Sequence, residues 1–152
     1  MTSTIVGLKI PDFSAPMTSD KIFNLSEHRG KHVVIYFYPK DSTPGCTNES
    51  IQFNEMQQSF IKKKCLIFGV SRDSIKSHEN FRSKYDFKFD LISDINEEVC
   101  QMFDVIKMKN MYGKQVRGIE RSTFLISPDG VLQQEWRKVK VPGHAQEVLD
   151  SI

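Results

Sequence analysis

An α/β fold, a three-layer sandwich with a mixed central sheet, is what this chain predicts, and three observations predict it. His32 to Tyr38 (HVVIYFY) and Cys65 to Ser71 (CLIFGVS) are apolar, β-branched and aromatic runs of buried-strand length. Behind each follows a segment with helical spacing, Phe53, Met56 and Phe60 in the first and Ile75, Phe81 and Tyr85 in the second. Near the C-terminus, Pro128-Asp129-Gly130 separates two further short runs as a hairpin turn does, ahead of a closing helix. Strand, helix, strand, helix, then hairpin and helix is the order that covers both faces of one sheet.

The elements follow in turn. Asp20 to Leu25 (DKIFNL) reads as a short strand of an N-terminal hairpin, and His28-Arg29-Gly30-Lys31 as a turn. His32 to Tyr38 is the first central strand, and a long helix runs from roughly Cys46 to Lys62. Cys65 to Ser71 is the second buried strand, after which Ser74 opens a helix with a serine or Asp73 as its cap. Asp90 to Ser93 is a short strand, and Asp94 begins a helix through Val99 to Phe103. Lys107 to Gly118 is polar and contains glycine, which reads as a loop. Arg121 to Ser127 (RSTFLIS) and Val131 to Trp136 form an antiparallel pair across the turn. Pro142-Gly143 breaks the chain before a last helix from about His144. Without repeats, linkers or low-complexity tracts, residues 1–152 read as one domain.

Composition narrows the function classes. A chain of 152 residues with 39% hydrophobic and 26% charged content is a globular domain with a sizeable core. Its net charge of +2 argues against nucleic acid or an anionic membrane as partner. The short basic runs Lys62-Lys63-Lys64 and Arg137-Lys138-Val139-Lys140 read as solvated edges. No stretch has the apolar length of a signal peptide or a membrane span. Three cysteines at wide spacing make no secreted disulfide framework, so a reducing cytoplasm is expected. His28, His32, His78 and His144 lie on different elements with no pair at ligand spacing, and no metal is expected.

The chemistry concentrates in Tyr38-Pro39-Lys40-Asp41-Ser42-Thr43-Pro44-Gly45-Cys46-Thr47-Asn48-Glu49, a turn-rich loop leading into the first long helix. A cysteine at a helix N-terminus meets unpaired backbone N–H groups and the positive end of the helix dipole, and both favour the reactive thiolate. Thr43, three residues ahead of Cys46, can offer a hydroxyl to sulfur and substrate. Pro39 stiffens the turn and shields it. The N–H groups of Gly45 and Cys46 supply further donors for an oxygen that gains charge. Glu49, counted with Gly45 among the candidate substrate-binding residues, reads either as a complement to the helix dipole or as a partner for an arginine, the dipole being the simpler account.

The spacing Pro, three residues, Thr, two residues, Cys, within YPKDSTPGCTNE, resembles the peroxidatic loop of the peroxiredoxins, in particular their bacterioferritin comigratory protein or Q-type branch. The likeness extends over GVSRDSIKSHENFRSKY, KNMYGKQVRGIERSTFLISPDG and WRKVKVPGHAQEVL, nearly the whole chain. It implies a thioredoxin-like fold with an N-terminal extension, no cofactor, and thiol-dependent reduction of hydrogen peroxide and organic hydroperoxides through a Cys46 sulfenic acid. It also implies that Arg121, in ERSTFLIS, is the cation that holds the anionic sulfur. A monomer is the usual state of the branch.

The chain departs from that pattern in its other thiols. Ile51 stands where many members place a resolving cysteine, and HENFRSKY, the other usual location, has none. Cys65 reads as a buried strand residue alternating with Ile67 and Gly69, and Cys100 as a helix residue on a half-buried face. Both are expected to be structural, with reduction by an external thiol such as thioredoxin or glutathione with glutaredoxin. A Cys46–Cys100 disulfide is the minority alternative, and Cys65 the other candidate to resolve. A thioredoxin-type oxidoreductase would need Cys-x-x-Cys, which is missing from Gly45-Cys46-Thr47-Asn48-Glu49. A non-enzymatic redox sensor that relays oxidation by disulfide exchange is the alternative function.

Overall fold

The structure, a computed structural model, describes residues 4–152. Its strands are β1 (Ser14–Met17), β2 (Lys21–Asn24), β3 (His32–Phe37), β4 (Cys65–Ser71), β5 (Leu91–Ser93), β6 (Ile106–Met111), β7 (Lys114–Ile119), β8 (Ser122–Ile126) and β9 (Leu132–Arg137). The helices are α1 (Pro44–Glu55), α2 (Gln57–Lys62), α3 (Ile75–Tyr85), α4 (Glu98–Met102) and α5 (His144–Asp150). Seven strands form a sheet in the order β2-β1-β5-β4-β3-β8-β9. The central neighbours β3, β4 and β5 run parallel, while β1 and β2 on one side and β8 and β9 on the other add antiparallel pairs. The mixed sheet expected from the element order is therefore present, and so is the N-terminal hairpin, as β1–β2.

Alternation along β3 explains the two cores. Val33, Ile35 and Phe37 enter one cluster, with Phe68, Phe124, Val99, Cys100 and Phe103. Val34, Tyr36 and Tyr38 enter the other, with Cys46, Phe53, Phe60, Phe81, Val148 and Leu149. One face is thus covered by α1, α2, α3 and α5, the other by α4 and the N-terminal segment around Ile10 and Leu25. Gly69 is a requirement of this packing, because a Cβ there would lie 2.8 Å from the Tyr36 ring and the Leu91 side chain.

Three expectations need correction. The long helix is broken at Met56 (φ −99°, ψ 3°), where α1 ends and α2 begins. The helix expected from Asp94 starts only at Glu98, and Asp94 instead accepts hydrogen bonds from the N–H groups of Val99 and Cys100. The stretch 107–118, expected to be a loop, is most of the β6–β7 hairpin. Met111 pairs with Lys114, leaving Tyr112 (φ 53°) and Gly113 (φ 80°) as a two-residue turn with both residues left-handed. The lysine-rich composition hid that strand pair. Ser74, rather than Asp73, caps α3, accepting from the Ser77 N–H.

Candidate active site

The C-terminal ends of the parallel strands β3 and β4 meet at one edge of the molecule, the place where α/β folds gather their sites. Tyr38 still donates its N–H to Val70 across β4, and then Pro39, which has no N–H, ends the ladder. The chain turns through Ser42 (φ 64°) and enters α1 with Thr43 in an extended N-cap conformation and Pro44 at the first helical position. Cys46 is then the third residue of the helix. The first helical hydrogen bond runs from the Thr47 N–H to the Thr43 carbonyl, so helix geometry leaves the N–H groups of Gly45 and Cys46 without intrahelical acceptors.

Arg121 reaches the same corner from another element. β8 is antiparallel to β3, and Phe37 pairs with Ser122, so the residue before Ser122 emerges beside the strand end that leads to Cys46. Its carbonyl accepts from the Val139 N–H, which holds the backbone in place. The guanidinium forks: Nη1 donates to Glu49 Oε1 at 2.6 Å, and Nη2 lies 3.5 Å from Cys46 Sγ. Gly45 makes room for it, since a Cβ there would come within 3.2 Å of Nη2. Burial works against the Arg121 charge, but Glu49 and Cys46 outweigh it and hold the guanidinium above even its usual range.

Glu49 corrects the simpler expectation. No acidic residue stands in the first turn of α1; Glu49 is a turn further on, on the Cys46 face, and its partner is Arg121. The residue is only 1% exposed, and Oε2 has no hydrogen-bond partner among the described residues. Burial pushes its carboxyl up to about 7 even against the attraction of Arg121.

Thr43 is less directly engaged than its spacing implied. Its hydroxyl donates to the Lys40 carbonyl at 2.9 Å, and it makes no side-chain cap. With the proton so committed, the oxygen is left to accept. Pro39 is half-buried at the same turn, and Lys40 is exposed. Cys65 and Cys100 lie elsewhere. Both are fully buried and free, which corrects the half-buried expectation for Cys100. Cys65 lies on the same sheet face as Cys46 but at the opposite end of β4, while Cys100 belongs to the core on the other face.

Two features escaped sequence reading. The β6–β7 hairpin carries Lys109, half-buried with its ammonium on the Ile119 carbonyl; burial first, then Arg121, hold it below its usual pKa. Asp41, in the loop itself, joins buried His78 and half-buried Asp73 in one cluster. Asp41 was legible as a loop residue, but nothing local marks its pairing with a histidine 37 positions away.

The model of the AhpC/TSA family matches residues 6–135. The chain belongs to that family, as a peroxiredoxin of the Bcp or Q branch, and its fold is the thioredoxin-like one of that group. Peroxiredoxin Bcp of Xanthomonas campestris pv. campestris is 54% identical over 154 residues, covering 100% of this chain and 96% of the relative. Peroxiredoxin Bcp of Bacillus subtilis is 44% identical over 147 residues, covering 97% and 94%. A solved structure of the Xanthomonas campestris bacterioferritin comigratory protein, a trapped intermediate/ligand complex bearing on its alkyl peroxide reduction activity, superposes with a TM-score of 0.90. It is 53% identical and covers 97% of this chain and 96% of that one. The enzyme class is accordingly thiol-dependent peroxidase. Among the described residues no helix is long and apolar enough to cross a membrane.

Proposed function

We propose that Cys46 is the peroxidatic thiol, that Arg121, Thr43, Pro39 and the N–H groups of Gly45 and Cys46 serve it, and that an external thiol completes the cycle. The observation that carries this reading is the Arg121 guanidinium set between Cys46 Sγ and the Glu49 carboxyl at the start of α1. A fixed positive charge beside the sulfur favours its anion and faces the oxygen that becomes negative as the O–O bond breaks. Thr43, whose proton is given to Lys40, accepts the peroxide hydroxyl and so orients the bond in line with sulfur. The Cys46 thiolate attacks one oxygen of ROOH, the O–O bond breaks, and RO⁻ takes a proton to leave as ROH. Cys46 is left as sulfenic acid. One external thiol condenses with it, releasing water and forming a mixed disulfide; a second thiol restores Cys46 and leaves as part of a disulfide.

Hydrogen peroxide and organic hydroperoxides are the substrates of this reading, and alkyl peroxide reduction by the Xanthomonas relative supports the second class. Thioredoxin, or glutathione with glutaredoxin, is the reductant. The one-cysteine cycle is supported by Ile51 at a usual resolving position and by the remoteness of the other two thiols. A cytoplasmic monomer is part of this reading, and three free cysteines suit a reducing pool. The deciding experiment is mass spectrometry of protein treated with one equivalent of peroxide, with dimedone present and without reductant. The expected product is a single dimedone adduct on Cys46; a stoichiometric internal disulfide would remove the one-cysteine cycle.

A further inference from the structure

Asp41 lies between Pro39 and Thr43 and is buried, and its hydrogen bonds run to Tyr38, Asp73, Ser77 and His78 rather than to Cys46. Its carboxylate is fully occupied from behind the loop. Oδ1 accepts from the Tyr38 hydroxyl at 2.6 Å; Oδ2 accepts from Ser77 Oγ at 2.8 Å and meets His78 Nδ1 at 2.7 Å. The Asp41 N–H donates to Asp73 Oδ2 at 2.9 Å, and that oxygen also accepts from Ser71 Oγ at 2.5 Å. His78 Nε2 lies 2.9 Å from the Ile92 carbonyl. A carbonyl only accepts, so Nε2 carries a hydrogen. The 2.7 Å separation of Nδ1 from Oδ2 is a hydrogen-bond distance, so both ring nitrogens are engaged. The cluster could in outline hold a cation, but its facing atoms are already satisfied by protein donors.

These bonds tie one short loop to the ends of β3, β4 and β5 and to the first turn of α3. We propose that Asp41, His78 and Asp73 form a positioning latch that fixes the Thr43–Cys46 segment for attack on peroxide and opposes the displacement that reduction requires; this rests on Cys46 being the peroxidatic thiol. The first half follows from leverage. Thr43 is two residues beyond Asp41, and a shift of about 1 Å in a reacting geometry costs on the order of a hundred-fold in rate. The second half follows from burial. Cys46 is 1% exposed, which a small peroxide tolerates, but a thiol must approach the sulfur in line with its S–O bond. The start of α1 must move outward for that approach, and the latched loop is its upstream tether.

The test separates the two half-reactions in His78→Phe, which keeps an aromatic ring, though a larger one, and deletes both nitrogens, and in Asp73→Asn, which weakens one link and leaves no buried charge unpaired. Single-turnover oxidation by hydrogen peroxide is followed by dimedone trapping, and reduction of the preformed sulfenic acid by dithiothreitol. Oxidation should slow roughly ten- to hundred-fold in His78→Phe and less in Asp73→Asn, while reduction stays the same or quickens. His78→Asn, whose amide nitrogen can occupy the Nδ1 position and donate to Asp41, should recover most of the oxidation rate. Should His78→Phe fail to fold, Asp73→Asn and His78→Asn carry the same comparison. Equal slowing of both half-reactions, or unchanged oxidation in the folded variants, would overturn the latch. Absence of a Cys46 adduct in the unsubstituted protein would instead count against Cys46 as the peroxidatic thiol.

Discussion

Cys46 and Cys100 are equally withdrawn from solvent, on opposite faces of one sheet, and their surroundings differ in the sign of the nearest charge. Beside Cys46 stands the Arg121 guanidinium, 3.5 Å from sulfur. Beside Cys100 stands the Asp94 carboxylate, already accepting the Cys100 N–H at 2.7 Å. Burial first, then Asp94, push the Cys100 thiol far above the ordinary range. Among the described residues no charged group shifts Cys65, and burial carries it up to about 12. Depth in the fold therefore does not distinguish these thiols, whereas the charge beside each sulfur does. Desolvation works against every buried thiolate, and a cation facing the sulfur works for it; of these three thiols Cys46 has the Arg121 guanidinium in that position.

The strongest way to break this comparison is to remove the sulfur from the favoured corner. Cys46→Ser is nearly isosteric, and the first turn of a helix accepts serine. We expect peroxide consumption to fall to background with the circular dichroism spectrum unchanged. Residual turnover carried by Cys65 or Cys100 would show that burial does not silence them.

Removing the charge comes next. Arg121→Met keeps much of the volume and should slow the reaction of Cys46 with peroxide by roughly a hundred-fold, the scale set by loss of one preorganised donor. Stopped-flow kinetics would read it, and adding Glu49→Gln removes the complication of a carboxylate left without its partner. Unchanged rates would make Arg121 a structural residue only.

The corner proposed for the chemistry was also the legible one, for a physical reason. Its signals are local: the proline that ends a ladder, the threonine and cysteine at fixed spacing, the glycine and proline at a helix start. Arg121 was legible only by resemblance, because the β3–β8 register that brings it there is a pairing across the chain. Glu49 was misjudged for the same reason, since its role is set by a residue 72 positions away. The β6–β7 hairpin was read as a loop because Lys107, Lys109 and Lys114 interrupt the apolar pattern of a pair that stands outside the main sheet.

Glu49 sharpens the comparison by pH. Its folded carboxyl titrates near 7, above the ordinary 4.5 of the unfolded chain, so the folded state binds the extra proton between those values. Its contribution to stability is therefore fully present below the ordinary glutamate range and is lost as pH rises toward 7. Glu49→Gln removes that loss. Urea denaturation at pH 5 and pH 8 should show the variant gaining on the parent protein at the higher pH, by on the order of 1 kcal/mol or more. A difference that shrinks with pH would mean that the Arg121 pair, not burial, governs Glu49.

The smallest effect is expected where the comparison predicts silence. Cys65 pairs with His32 at the start of β3, whereas Cys46 follows the strand's far end. At about 3.3 Å per residue the length of the strand alone separates them by roughly 17 Å. Cys100 has the whole sheet between it and Cys46, and α4 would have to leave its core for the two sulfurs to meet. A disulfide needs Cα atoms within about 7 Å, so neither pairing is open without dismantling a core. Combined Cys65→Ala and Cys100→Ala should accordingly leave peroxide turnover with an external thiol within about two-fold of the parent protein. The stability cost should be on the order of 1–2 kcal/mol for the small cavities, which urea denaturation would read separately. Loss of thioredoxin-coupled turnover in Cys100→Ala alone, with oxidation of Cys46 intact, would show that α4 does leave its core during the cycle and that Cys100 resolves.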